Sequence, residues 1–178
     1  MSSLKKERTV LKTIRITQNT NQFLKVDATA KKITINSLIQ SILTKYVEWD
    51  RFAQRYGFIS TTHDAFDALI NSLDYRKLET LATEQGELIP KDIMQFWFGQ
   101  TGVNGFLSYL MLMCEYATFA KLEIKRDGPK HSVTLHHDLG EKWSIYLKYF
   151  LRAGLRATTG ITGKVETSKS SAVLHFTS

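Results

Sequence analysis

Between Lys12 and Tyr56 the chain carries a pattern that a single copy cannot satisfy. It opens on KTIRIT, where Ile14 and Ile16 alternate with Thr13, Arg15 and Thr17, the period of a half-buried strand. QNTNQFLKVDATAKK follows, with Asn19 or Thr20 as the expected N-cap and Phe23, Leu24, Ala28 and Ala30 along one side, which predicts a short helix to about Lys32. Thr34 then caps a second helix, whose Leu38, Ile39, Ile42, Leu43, Tyr46 and Val47 form a continuous apolar stripe and which is expected to reach about Tyr56. One strand and two helices in about 40 residues bury too little apolar surface to be stable alone, and a lone strand leaves its backbone polar groups unpaired. The simplest partner is a second copy, with the two strands antiparallel about a twofold axis and four helices packed beneath them.

The charge distribution suggests what such a pair would meet. The 178 residues carry 24 Lys and Arg against 17 Asp and Glu, a net of +7. Residues 1–51 hold ten of the basic and four of the acidic side chains, a net of +6, which leaves +1 for everything after them. A basic head on a near-neutral body points to a polyanion, and nucleic acid is the commonest one.

On these residues the chain resembles the ribbon-helix-helix family of the MetJ and Arc repressors. The alternating KTIRIT strand, the helix, the turn Ile33-Thr34-Ile35-Asn36 and the second helix beginning SLIQSIL carry the likeness, over about residues 10–50. The resemblance implies a dimer whose two-stranded β-ribbon enters the DNA major groove, with Thr13, Arg15 and Thr17 reading base edges. The chemistry of those residue types agrees, since Arg bonds guanine O6 and N7 in bidentate fashion and Thr offers a hydroxyl and a methyl. The resemblance also places the N-terminus of the second helix at a phosphate, through Thr34, Ile35 and Asn36. Lys5, Lys6 and Arg8 in the arm before Lys12, and Lys12 itself, are expected to follow phosphates without reading sequence. Two features depart from the family: Lys31-Lys32 stands where Gly is common before the inter-helix turn, and the first helix carries Asn21 and Asp27 where aliphatic residues are usual.

Past Tyr56-Gly57 the composition changes, which divides the chain into a DNA-binding domain, residues 1–56, and an α+β dimerisation or effector domain, residues 57–178. In the second, a helix capped near Thr61 or Thr62 is expected, then one over DYRKLETLATEQG ended by Gly86, then another segment starting at Pro90. GVNGFLSYLMLMCEYATFA reads as a helix apolar on most sides, and the aromatic group Phe96, Trp97, Phe98, Phe106 and Tyr109 reads as core, with a ligand pocket as the other reading. KLEIKRDGPKHSVTL reads as a hairpin about a DG turn, EKWSIYLKYFLRAGL as a helix and GKVETSKSSAVLHF as a second hairpin. The phrase HSVTLHHDLGEKWS is similar to segments in the C-terminal regions of uncharacterised archaeal ribbon-helix-helix regulators, a likeness that implies no activity. His136, His137 and Asp138 are metal-ligand types, but neighbours on a strand face opposite sides and do not converge on one ion. His137 shares a face with Val133 and Leu135, so it is read as a hydrogen-bonded core histidine, a metal or haem ligand, or a pH-sensitive group, and Asp138 as a cap for the helix near Glu141.

P-loop, GxGxxG, HExxH, GxSxG and CxxC signatures are missing, so no enzyme, metal site or cofactor is expected. The N-terminus lacks the apolar region of a secretory signal, no apolar run reaches the roughly 18 residues of a membrane span, and the lone Cys114 fits a reducing cytoplasm. The expectation is a cytoplasmic, homodimeric, sequence-specific transcriptional regulator of double-stranded DNA, with pairing of dimers into tetramers left open. The alternatives are an antitoxin-like interaction protein, or a regulator whose C-terminal domain senses a small-molecule effector, a metal or haem.

Overall fold

The computed structural model describes residues 10–178, which divide into two compact units at Glu48 and Trp49. It overturns the expected N-terminal strand. Residues 10–17 form neither helix nor strand, and the first regular element among the described residues is helix α1, Gln18–Ala30. Ile14 and Ile16, expected to face a core, are 58% and 39% exposed. The ribbon-helix-helix order of one strand and two helices is therefore not the fold of this chain. Alternation makes a segment compatible with a strand, but a strand exists only where a ladder partner satisfies its N–H and C=O groups. No described residue pairs with KTIRIT.

Helix α1 starts at Thr17, whose Oγ1 accepts from the Thr20 N–H at 3.1 Å, two or three residues before the expected cap. Its C-terminus closes in a Schellman turn: the Ile33 N–H reaches the Ala28 carbonyl and the Lys32 N–H the Thr29 carbonyl, each at 3.0 Å. Lys32 takes the left-handed conformation there, with φ at 55°, a position that glycine fills without strain. Thr34 caps α2, Ile35–Lys45, as the sequence suggested, its Oγ1 accepting from the Ser37 N–H at 3.0 Å. A π-helical turn, Tyr46–Asp50, follows, and then α3, Arg51–Tyr56, ends at Gly57 in the left-handed region.

The second unit begins inside that helical run, since Trp49 and Ala53 are buried in its core. Helix α4, His63–Ser72, is capped by Thr62, and α5, Tyr75–Phe98, by Asp74. Helix α5 runs straight through both expected breakers, Gly86 and Pro90. The reason is its crossing with α7, Gly140–Thr159. A Cβ on Gly86 would lie 2.5 Å from the Phe150 carbonyl oxygen, and one on Gly154 would lie 3.1 Å from Pro90 Cγ. The small residues let two backbones approach, and this packing outweighs local helix propensity.

Helix α6, Val103–Tyr116, precedes a four-stranded antiparallel sheet in the order β1-β2-β4-β3. Strands β1, Lys121–Asp127, and β2, Lys130–His136, form the first expected hairpin. Strands β3, Lys164–Ser168, and β4, Ser171–Thr177, form the second. Gly128 has φ of 57° and Pro129 follows it, the type II′ pattern, so the turn uses Gly-Pro rather than Asp-Gly as its central pair. Helix α7 packs on the sheet through Leu147, Leu151 and Leu155, which meet Val133, Leu135, Ala172 and Leu174 in one core with Leu78, Ile93, Phe106 and Leu110. Among the described residues no helix is long and apolar enough to cross a membrane.

Candidate nucleic-acid interface

In the first unit, α1 and α2 pack against each other but bury only Ala28 and Leu38. The rest of the apolar stripe stands open: Ile42, Leu43, Tyr46 and Val47 are 49–58% exposed, and Phe23 and Val26 on α1 are 64% and 61% exposed. A stripe of this length on a folded helix is normally covered by another element.

The same unit is basic. Among residues 10–48 the basic side chains are Lys12, Arg15, Lys25, Lys31, Lys32 and Lys45, against Asp27 and Glu48. Lys12, Thr13 and Arg15 are exposed, and the Arg15 guanidinium has no hydrogen-bond or ion-pair partner among the described residues. Thr17 is engaged differently, because its hydroxyl caps α1 and lies 2.8 Å from the Thr20 hydroxyl. The start of α2 joins Lys31 and Lys32 on the exposed inter-helix turn. With the Ser37 N–H taken by the Thr34 hydroxyl and the Leu38 N–H by the Thr34 carbonyl, the N–H groups of Ile35 and Asn36 are those left for an outside acceptor. Lys5, Lys6 and Arg8 lie outside the described residues.

The second unit resolves the histidine phrase. His136 is exposed at the end of β2 and His137 is half-buried, its Nε2 2.8 Å from the Ser144 hydroxyl of α7. Burial holds the His137 pKa below its ordinary value, opposed by the neighbouring Asp138 charge. Asp138 does not cap α7. It lies 3.1 Å from His63 Nε2 of α4, and that bond pulls its carboxyl below the usual range. Among the described residues no three metal-ligand side chains converge. Cys114 shares a cavity wall with His137, but burial pushes its thiol to about 12, so it holds almost no thiolate at neutral pH. Trp97 and Phe96, read as core or pocket, belong to an aromatic cluster with Trp49, Phe52, Tyr56 and Phe58, with ring centroids 4.9–6.1 Å apart.

His131 is a further buried histidine, outside the expected site residues. It is 8% exposed on the inner face of β2, stacked on Phe176 at 4.7 Å, with Nε2 2.9 Å from the Ser178 hydroxyl and a buried Nδ1 that has no partner. Its phase gives it away, because His131, Val133 and Leu135 are consecutive inward positions of one strand. The His63–Asp138 pair, by contrast, joins residues 75 apart and has no local signal. Comparison with known protein families gives no match, and comparison with curated proteins gives none.

Proposed function

We propose that the chain is a cytoplasmic, homodimeric, sequence-specific DNA-binding protein that regulates transcription and catalyses no reaction. The observation that carries this reading is a basic two-helix unit that leaves its own apolar stripe uncovered. A second copy supplies an identical stripe, so twofold pairing covers both at once and brings two sets of cations side by side. The doubled charge favours a polyanion with a regular backbone.

In this reading Lys12, Lys31, Lys32 and the N–H groups of Ile35 and Asn36 hold phosphates, with Thr34 setting the start of α2 and Lys5, Lys6 and Arg8 adding to the same contact. Arg15 and Thr13 reach base edges in the major groove from the irregular segment before α1, and Thr17, its hydroxyl engaged in the cap, offers its methyl. Among the described residues nothing bonds the Arg15 guanidinium, which supports its role, since a reader must not already be paired.

The test compares two variants on a selected duplex. Arg15→Ala is expected to lose about 1–3 kcal/mol of specific affinity and to relax one base position, whereas Lys12→Ala weakens all sequences alike and flattens the salt dependence. Equal effects of both variants on specific and random duplexes would leave a non-specific binder. An unchanged affinity for Arg15→Ala would remove the residue from the interface.

A further inference from the structure

Strand β1, Lys121–Asp127, stands at one end of the sheet, with β2 on one side and no strand among the described residues on the other. A strand in that place presents a row of backbone N–H and C=O groups to any extended chain that can pair with it. Leu122 and Ile124, its two apolar residues on the core side, are only half-buried, whereas Leu135 and Val133 opposite them on β2 are completely buried. The core layer is left open along this edge.

Charge commonly guards such an edge by repelling a second copy. The order of charges along β1 does the reverse. Lys121, Glu123, Lys125 and Asp127 alternate in sign on the solvent face, all of them exposed, and Glu123 lies 3.1 Å from Lys125. A twofold axis normal to the sheet pairs β1 antiparallel with its copy and keeps both core faces on one side. Pairing over the full seven residues centres that axis on Ile124. Lys121 then faces Asp127 of the copy and Glu123 faces Lys125 of the copy, so every solvent-face pair is of opposite charge. On the core face Ile124 meets Ile124, and Leu122 meets the aliphatic stem of Arg126. A shift of two residues either way brings Glu123 onto Glu123 or Lys125 onto Lys125, which opposes slippage. Strand β3 at the other edge lacks this property, because its full-length pairing would set Glu166 against Glu166.

From this self-complementarity we propose that β1 is a docking edge for β1 of a second copy, which joins two four-stranded sheets into one. The occupant is a second copy because β1, reversed, supplies the opposite sign at every charged position of its own solvent face. A single pair of seven-residue strands buries far less surface than a standard interface, so the edge alone holds two chains only near millimolar concentration. Added to the pairing of the α2 stripes, a second twofold surface builds assemblies larger than a dimer. The edge lies wholly in the second unit and does not rest on DNA binding by the first.

The test is sedimentation equilibrium of the full chain up to near-millimolar concentration, with Leu43→Asp present throughout to remove stripe pairing. Leu43 lies in the first unit, so the result stands whether or not the stripes pair. This background should be monomeric at tens of micromolar and dimeric at the top of the range. Glu123→Lys and Lys125→Glu, each at an exposed position, should raise the dissociation constant roughly tenfold or more with an unchanged thermal melt, since each sets like charges against one another twice. An equal mixture of these two variants should associate as tightly as the background, because each then meets the opposite sign on the other. Neither chain in the mixture regains its own Glu123 to Lys125 bond, so the recovery reads contact between copies alone. A background that stays monomeric to the top of the range overturns the proposal and leaves the edge to a foreign strand or to solvent. Single variants that associate as the background does, or a mixture as weak as its parts, overturn it as well.

Discussion

Leu43 offers the sharpest handle on the open stripe of α2. It is 57% exposed in the single chain, and complete burial of a Leu side chain contributes about 1.5–3 kcal/mol. Covering the exposed half against a second copy is thus worth roughly 1 kcal/mol per chain, and a twofold interface counts every substitution twice. Leu43→Ala should raise the dimer dissociation constant by roughly 30-fold, from about 2 kcal/mol at 1.4 kcal/mol per tenfold. Leu43→Asp should abolish the dimer, because pairing would bury two like charges. Ser41, exposed on the opposite side of α2 from Leu43 and Ile39, serves as the control, and Ser41→Ala should leave the dimer unchanged. Sedimentation equilibrium over a concentration series reads all three. A wild type that stays monomeric at tens of micromolar, or a Leu43→Asp variant that still dimerises, would refute the pairing of these stripes.

Lys32→Gly should stabilise the first unit by roughly 0.5–1 kcal/mol, because relief of a left-handed L-residue exceeds the added backbone entropy of glycine; chemical denaturation measures it, and a loss of stability would contradict the Schellman turn. Gly86→Ala should lower the melting temperature by several degrees, as the new Cβ meets the Phe150 carbonyl at 2.5 Å; an ordinary exposed helix glycine would give the opposite sign. The depressed pKa of His137 means that its contribution to stability is complete above the unfolded value near 6.5 and is lost as the pH falls through the lower folded value. His137→Gln should flatten the stability profile in that acidic window in paired denaturation series, and parallel profiles would show that the residue titrates alike in both states.

The features legible in the sequence are those fixed by neighbours along the chain. Thr34 and Thr62 cap the helices they were expected to cap, Gly57 ends α3, and both hairpins follow from alternation around short turns. What escaped depends on distant partners. KTIRIT has the period of a strand, yet period alone supplies no ladder. Gly86 and Pro90 look like breakers until Phe150 and Gly154 of α7 are seen against them, more than sixty residues later in the chain. The candidate sites divide the same way. Arg15 and Lys12 stand out from charge and spacing, and both are exposed in the structure. Asp138 was misread as a cap because its partner, His63, lies on a different helix.

Selection from a random-sequence duplex library across a salt series, with sequencing of whatever the full chain retains at high salt, tests the central claim most directly. The account predicts an enriched motif with twofold symmetry, in which one base position in each half-site loses its preference when Arg15 is replaced by Ala. Retention that falls steeply with salt and enriches no motif, or no retention at all, would contradict it.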